Sequence, residues 1–179
     1  MSQWKKILYS LILLLVALLL DGGLTAQLKA VFTTDVGTIV PRLTVLVLLI
    51  LSFYLSFKHI IWLSLIMGFL YDSYYTGYLG IYMATFTLIA YVILQLRSYF
   101  KPNLLIYVLL SVIVITLLEF FVFGVYRAIN ITQLSMQLFI VERLGISLLF
   151  NGIMMLVIGY PVDKIGQKVV QKEEIRFKR

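Results

Sequence analysis

Ser64-Leu65-Ile66-Met67-Gly68-Phe69-Leu70-Tyr71-Asp72-Ser73-Tyr74-Tyr75-Thr76-Gly77-Tyr78-Leu79-Gly80-Ile81-Tyr82 lies between two strongly apolar segments and places an aspartate where lipid is expected. Hydrocarbon offers no water to an ionised carboxylate, so such a residue faces protein or a wet cavity. The apolar residues before it, Ile60 to Tyr71, would rise only about 18 Å as a helix. That is short of a bilayer core of about 30 Å. The element therefore either continues through Asp72 into Tyr74-Tyr75 or ends as a half-helix followed by irregular backbone. Irregular backbone at that depth must be buried in protein or line a cavity. Gly77 and Gly80 suit a tight turn there.

The whole chain is of the same kind. It has 179 residues, 62% of them hydrophobic and 13% charged, with a mean hydropathy of +1.03. A soluble domain would carry about a quarter charged residues. This composition specifies an integral membrane protein, an all-α bundle forming a single transmembrane domain over 1–179. Six apolar stretches are long enough to be considered as spans, at about 7–26, 39–57, 60–75, 79–96, 104–126 and 138–160. Pro41-Arg42 opens the second, and the third is short or broken near Asp72. Pro161 is expected to stop the sixth. The apolar run after Trp4-Lys5-Lys6 is read as a retained first helix, because no small-x-small cleavage site follows Leu20.

Lysine and arginine set the orientation. Lys5, Lys6, Lys58, Arg97, Lys101, Lys164, Lys168, Lys172, Arg176, Lys178 and Arg179 fall on one side, against Lys29, Arg42, Arg127 and Arg143 on the other. The first side is then cytoplasmic, and both termini lie there, as an even number of spans requires. The net charge of +7 reflects this sidedness and does not point to nucleic acid. The basic cytoplasmic tail 162–179 reads either as a solvated segment or as an amphipathic helix resting on anionic lipid.

Chemistry-bearing patterns are few. The chain has no cysteine and one histidine, His59. Disulfides, thiolate metal sites and a cysteine nucleophile are excluded. No P-loop, G-x-S-x-G or H-E-x-x-H motif occurs. Asp21, Asp35, Asp72, Glu119 and Glu142 are scattered one per element, so neither a metal site nor a catalytic set is expected, and no cofactor.

Structural and partner-binding candidates are clearer. Ser64, Gly68 and Asp72 step by four and share a helix face, where small residues permit close backbone approach. Asp72 either caps a helix or meets a partner. Tyr71, Tyr74, Tyr75, Tyr78 and Tyr82 read as an interfacial aromatic belt. Glu119 is the most deeply placed charge, with Arg42, Arg127 or Arg143 as partners. Arg143, Ser147 and Asn151 form a polar edge on the sixth helix. Gly145, Gly152 and Gly159 step by seven as a packing seam, within the bundle or between protomers. Asp21-Gly22-Gly23 reads as a kink with a polar contact.

Pro41-Arg42 at the start of an apolar helix, the basic turn at Lys58-His59, Gly68-Phe69-Leu70-Tyr71-Asp72, Gly77-Tyr78-Leu79-Gly80 and Tyr160-Pro161 closing the last helix together resemble the bacterial rod shape-determining MreD family. The resemblance implies a non-enzymatic, multi-pass protein of the bacterial plasma membrane. Its place would be the cell-elongation machinery that builds peripheral peptidoglycan, as a scaffold. Implied partners are an MreC-like bitopic protein, other cell-wall elongation proteins and membrane lipid; the Gly145/Gly152/Gly159 seam separately permits a homodimer inside a larger complex. It also implies a fold similar to the six-helix substrate-binding components of energy-coupling-factor vitamin transporters. Such a vitamin-binding role is the alternative reading. A proton-coupled carrier using Glu119 is a third.

Overall fold

The computed structural model describes residues 3–27, 33–34 and 37–170. Six helices make up nearly all of it. Helix α1 is Gln3–Gln27. Two short strands, β1 (Thr33–Thr34) and β2 (Gly37–Thr38), pair antiparallel with Thr33 opposite Thr38. Helix α2 is Leu43–Ser52. Helix α3 is Phe57–Tyr71 and runs on as a π-helical turn, Asp72–Thr76. Helix α4 is Ile81–Leu96 and α5 is Leu104–Ala128. Helix α6 starts at Met136–Phe139, passes through a π-helical turn at Ile140–Leu144 and continues as Gly145–Val170.

Three helical segments are apolar and long enough to cross a membrane: Trp4–Ala26, Leu104–Ala128 and Met136–Lys168. Helices α2 and α4 are apolar but shorter. The chain is thus an all-helical membrane protein apart from the two short strands.

Helix α2 organises the packing. All ten of its residues are buried, and it contacts α1, α3, α4, α5 and α6. A helix that is apolar all round belongs inside a bundle. At ten residues it rises only about 15 Å. The helix expected over 39–57 is therefore shorter than the apolar run. The chain enters it as non-helical backbone through Val40, Pro41 and Arg42, with Arg42 at φ −135°, ψ 41°. Proline disfavours helix in the residue before it, which keeps Val40 out, and Arg42 stands as the non-helical N-cap before Leu43.

The third element takes the first of its two expected courses and continues through Asp72 into Tyr74-Tyr75. It begins at Phe57, and the turn after Tyr71 remains helical, widened to π geometry, until Gly77 ends it in the left-handed conformation at φ +71°. No half-helix forms. Helix α6 outruns its expected end at Pro161 and remains helical to Val170. Contacts hold this extension in place. Tyr107 donates to Asp163 Oδ1 at 2.5 Å, Tyr54 bonds the same carboxylate, and the Tyr54 ring lies against Gly166. Loss of one N–H at Pro161 does not outweigh these anchors. The tail residues 171–179 lie outside the described residues, as do Lys29 and Asp35.

The helices alternate in direction. One end of the bundle gathers Asp21 from the end of α1, Arg42 before α2, Tyr71 closing α3, Tyr82 opening α4 and Arg143 from the start of α6. At the opposite end Tyr54 follows α2, Tyr107 opens α5 and Asp163 lies late in α6. Arg97, just past α4, donates there to the carbonyls of Ser52 and Leu55 at 2.6 and 2.7 Å. Both π-turns are at the Arg42 end. Gly37 crosses the second so closely that a Cβ there would sit 1.8 Å from the Glu142 carbonyl oxygen.

Candidate functional site

The entry of the chain into α2 is the most polar place inside the bundle. Non-helical backbone there has no amide partners of its own, and lipid offers none. Side chains from two other helices take that role. Ser147 Oγ accepts from Val40 N at 3.0 Å and donates to the Thr38 carbonyl at 3.3 Å. Asn151 accepts from Arg42 N at 2.8 Å and donates to the Val40 carbonyl at 2.8 Å. Asp21 accepts from Leu43 N, Thr44 N and the Thr44 hydroxyl at 2.6, 3.0 and 2.7 Å. A carboxylate at a helix N-terminus fills the unpaired N–H groups and meets the positive end of the helix dipole.

The Arg42 guanidinium then points into the bundle. It donates to Glu119 Oε1 from Nε at 2.8 Å and from Nη2 at 2.6 Å. Nη1 reaches the Tyr71 hydroxyl at 2.6 Å and Nη2 the Tyr82 hydroxyl at 2.9 Å. The two tyrosine rings stack at 4.4 Å, and the guanidinium carbon lies 5.6 and 5.1 Å from their centroids. Arg143 Nε binds the other Glu119 oxygen at 3.1 Å. Arg42 and Glu119 are each 1% exposed. Of the three cationic partners expected for Glu119, the structure brings two; Arg127 instead bonds the Leu134 carbonyl. Thr116 bonds the Val112 carbonyl and takes no part.

Asp72 builds a second node of the same kind. Its carboxylate accepts from Gly80 N at 2.8 Å, Tyr82 N at 2.9 Å and Met83 N at 3.2 Å, which caps α4. The stripe leading to it packs inside the bundle. Ser64 is buried and donates to the Ile61 carbonyl, and a Cβ on Gly68 would lie 2.4 Å from Met83 Cα. Gly77 and Gly80 both have positive φ and open space beside them. Gly80 is the residue that precedes α4, so the Asp72 cap and the glycine turn fix one reversal of direction.

The remaining glycines diverge. A Cβ on Gly159 would lie 2.7 Å from the Leu104 side chain, one on Gly145 would have only the Ile140 carbonyl of its own helix near it, and one on Gly152 would meet nothing within 4 Å. Within the bundle they do not form one seam. At Asp21-Gly22-Gly23 the helix is continuous, and Gly22 makes room for the Tyr75 ring, whose hydroxyl bonds the Leu18 carbonyl at 2.7 Å. The caps by Asp21 and the grip of Ser147 on the chain were not foreseen. Their signal was the combination of Pro41 with an i, i+4 pair of small polar residues on a distant helix.

Chemically, the site is saturated rather than reactive. Among the described residues every buried side-chain nitrogen or oxygen has a hydrogen-bond partner, and no group of three acidic or histidine residues is arranged for a metal. The space beside Glu119 and Arg143 has a volume of about 30 Å³, enough for a water and far below the roughly 300–1,000 Å³ of a ligand pocket. Larger spaces, of about 650 and 410 Å³, are apolar furrows along α3/α4 and α4/α5.

Comparison with known proteins is consistent across its results. A family model described as rod shape-determining protein MreD matches residues 5–169. The Rod shape-determining protein MreD of Bacillus subtilis (strain 168) is 32% identical over 130 residues, covering 73% of this chain and 76% of that protein. No solved structure matches.

Proposed function

The chain belongs to the MreD family of rod shape-determining proteins, which carries a role in cell shape, and from this premise we propose that it is a non-enzymatic scaffold of the plasma membrane. It crosses the bilayer six times with both termini in the cytoplasm, so the Arg42 end faces outward. There it binds an MreC-like bitopic protein within the machinery that elongates the cell wall.

The observation that carries this reading is the saturation of Arg42 and Glu119. The two charges are held by each other, by Tyr71 and Tyr82, and by Arg143. Charges inside a membrane usually mark a transport path or a reaction. Here their bonding capacity is consumed in fixing the ends of α2, α3, α4, α5 and α6 relative to one another. The network shapes the outward end, while Tyr74, Tyr78 and Leu79 stand exposed on it at 74%, 51% and 67%. Ser64, Gly68, Asp72, Gly77 and Gly80 act in this account by setting that turn, not by touching the partner.

Co-purification from native membranes tests the proposal. Tyr78→Asp and Leu79→Asp change exposed side chains and leave the fold in place; each is expected to reduce recovery of the MreC-like partner at least tenfold. Undiminished recovery from both variants would move the interface away from this turn.

A further inference from the structure

The cleft beside Glu119 differs from the saturated network beneath it. It is lined by Arg143, Tyr126, Thr132 and Glu119 together with Phe139 and Leu134. Arg143 is one-third exposed. Its Nε is spent on Glu119, and its terminal nitrogens make no hydrogen bond among the described residues. The Tyr126 hydroxyl makes none there either. Thr132 Oγ1 accepts from Leu134 N at 3.3 Å, which leaves its proton to give. Three side chains from the end of α5, the loop after it and the π-turn of α6 thus converge with donors to spare. The one carboxylate present, Glu119, is already held by two arginines.

A cleft of about 30 Å³ admits an oxygen or two, not a whole ligand. The anion must be borne on something that lies outside. Leu134 lines the cleft and Phe120 packs edge-on against Phe139 of its wall, and the two are exposed at 42% and 37%, a surface that acyl chains can cover. The cleft lies at helix ends, the depth of the phospholipid head groups, and aromatic residues with a polar tip are suited to that depth. A guanidinium with free fork nitrogens matches phosphate geometry, and its hydrogen bonds to a charged acceptor are about twice as strong as neutral ones.

We propose that Arg143, Tyr126 and Thr132 form a binding site for the phosphate of a phospholipid head group. A lipid bound there would cover the junction of α5 and α6 and add a counter-charge beside the partly exposed Arg143 and the buried Arg42. This assignment is independent of the partner proposed above and of which leaflet the end faces.

Native mass spectrometry of the full chain in detergent tests it, with phosphatidylglycerol titrated in. The wild type is expected to retain one phosphatidylglycerol. Both Arg143→Lys and the double variant Tyr126→Phe/Thr132→Val should retain it at least tenfold more weakly. The double variant leaves the Arg42–Glu119–Arg143 contacts intact, so it decides the matter if the lysine variant does not fold. Inorganic phosphate at millimolar concentration should not displace the lipid. Equal retention by wild type and double variant overturns the site. Full displacement by inorganic phosphate overturns the lipid as its occupant.

Discussion

Arg42 shows how one residue can determine a fold in lipid. Between helices in a membrane the apolar driving force is weak, because lipid tails are as apolar as leucine. Directional contacts therefore carry more of the specificity. Removing one partner of a buried ion pair leaves a charge uncompensated and costs about 3–5 kcal/mol, whereas replacing both by apolar groups is often near neutral. Glu119→Leu should accordingly destabilise the purified protein by about that amount. The double variant Arg42→Leu/Glu119→Leu should recover at least half of the loss, as thermal or denaturant unfolding in detergent will show. Gly68 makes a complementary prediction. A methyl at 2.4 Å from Met83 Cα pushes two backbones apart, so Gly68→Ala should cost about 1–3 kcal/mol in the same measurement. Both residues stood out in the sequence, Glu119 for its depth and Gly68 for its spacing. The partners were only partly legible. Three cations competed for Glu119 on charge alone, and only the packing of α6 across α5 selects Arg143 over Arg127. Asp21 capping a helix that starts at Leu43 was not visible, since a cap delivered from another helix has no local spacing rule.

At the scale of elements, hydropathy identified segments well and their conformation less well. An apolar run from Ile39 to Phe57 looks the same whether its first residues are helical or extended. Pro41 was the available clue, because it sets the boundary through its fixed φ and missing N–H. The non-helical entry then depends on Asn151, whose amide serves Arg42 N and the Val40 carbonyl together. Asn151→Leu should leave two backbone groups unpaired at a cost of about 1–3 kcal/mol each, seen as lower unfolding temperature and faster amide exchange at Arg42. The other end of α2 predicts a pH effect. Burial and the neighbouring Asp163 push the Tyr54 hydroxyl up to about 12, from about 10 for a free tyrosine. Between these values the unfolded chain has lost a proton that the folded one keeps, so folding weakens as pH rises. The contribution is present in full below about pH 10 and is lost on approach to about 12. A Tyr54→Phe variant should show a smaller fall in unfolding temperature over that interval.

For the whole molecule, the six apolar helices were legible from apolar spacing, because that spacing follows from the bilayer and not from tertiary detail. The burial of α2 among five neighbours was not, since a central helix and a lipid-facing one have the same composition. The absence of cysteine offers a clean topology test. Lys58→Cys and Lys101→Cys should react with a membrane-impermeant maleimide only from the cytoplasmic side, and Tyr78→Cys only from outside. We propose that the charged core shapes an outward turn which a partner protein reads. Site-specific photocrosslinking in growing cells measures this most directly, with the reactive group placed at Tyr78, at Leu79 and, as the opposite end, at Tyr99. Crosslinks to the MreC-like protein are expected from positions 78 and 79 and none from 99. Crosslinks from Tyr99 alone, or none from 78 and 79 while the partner still co-purifies, would contradict it.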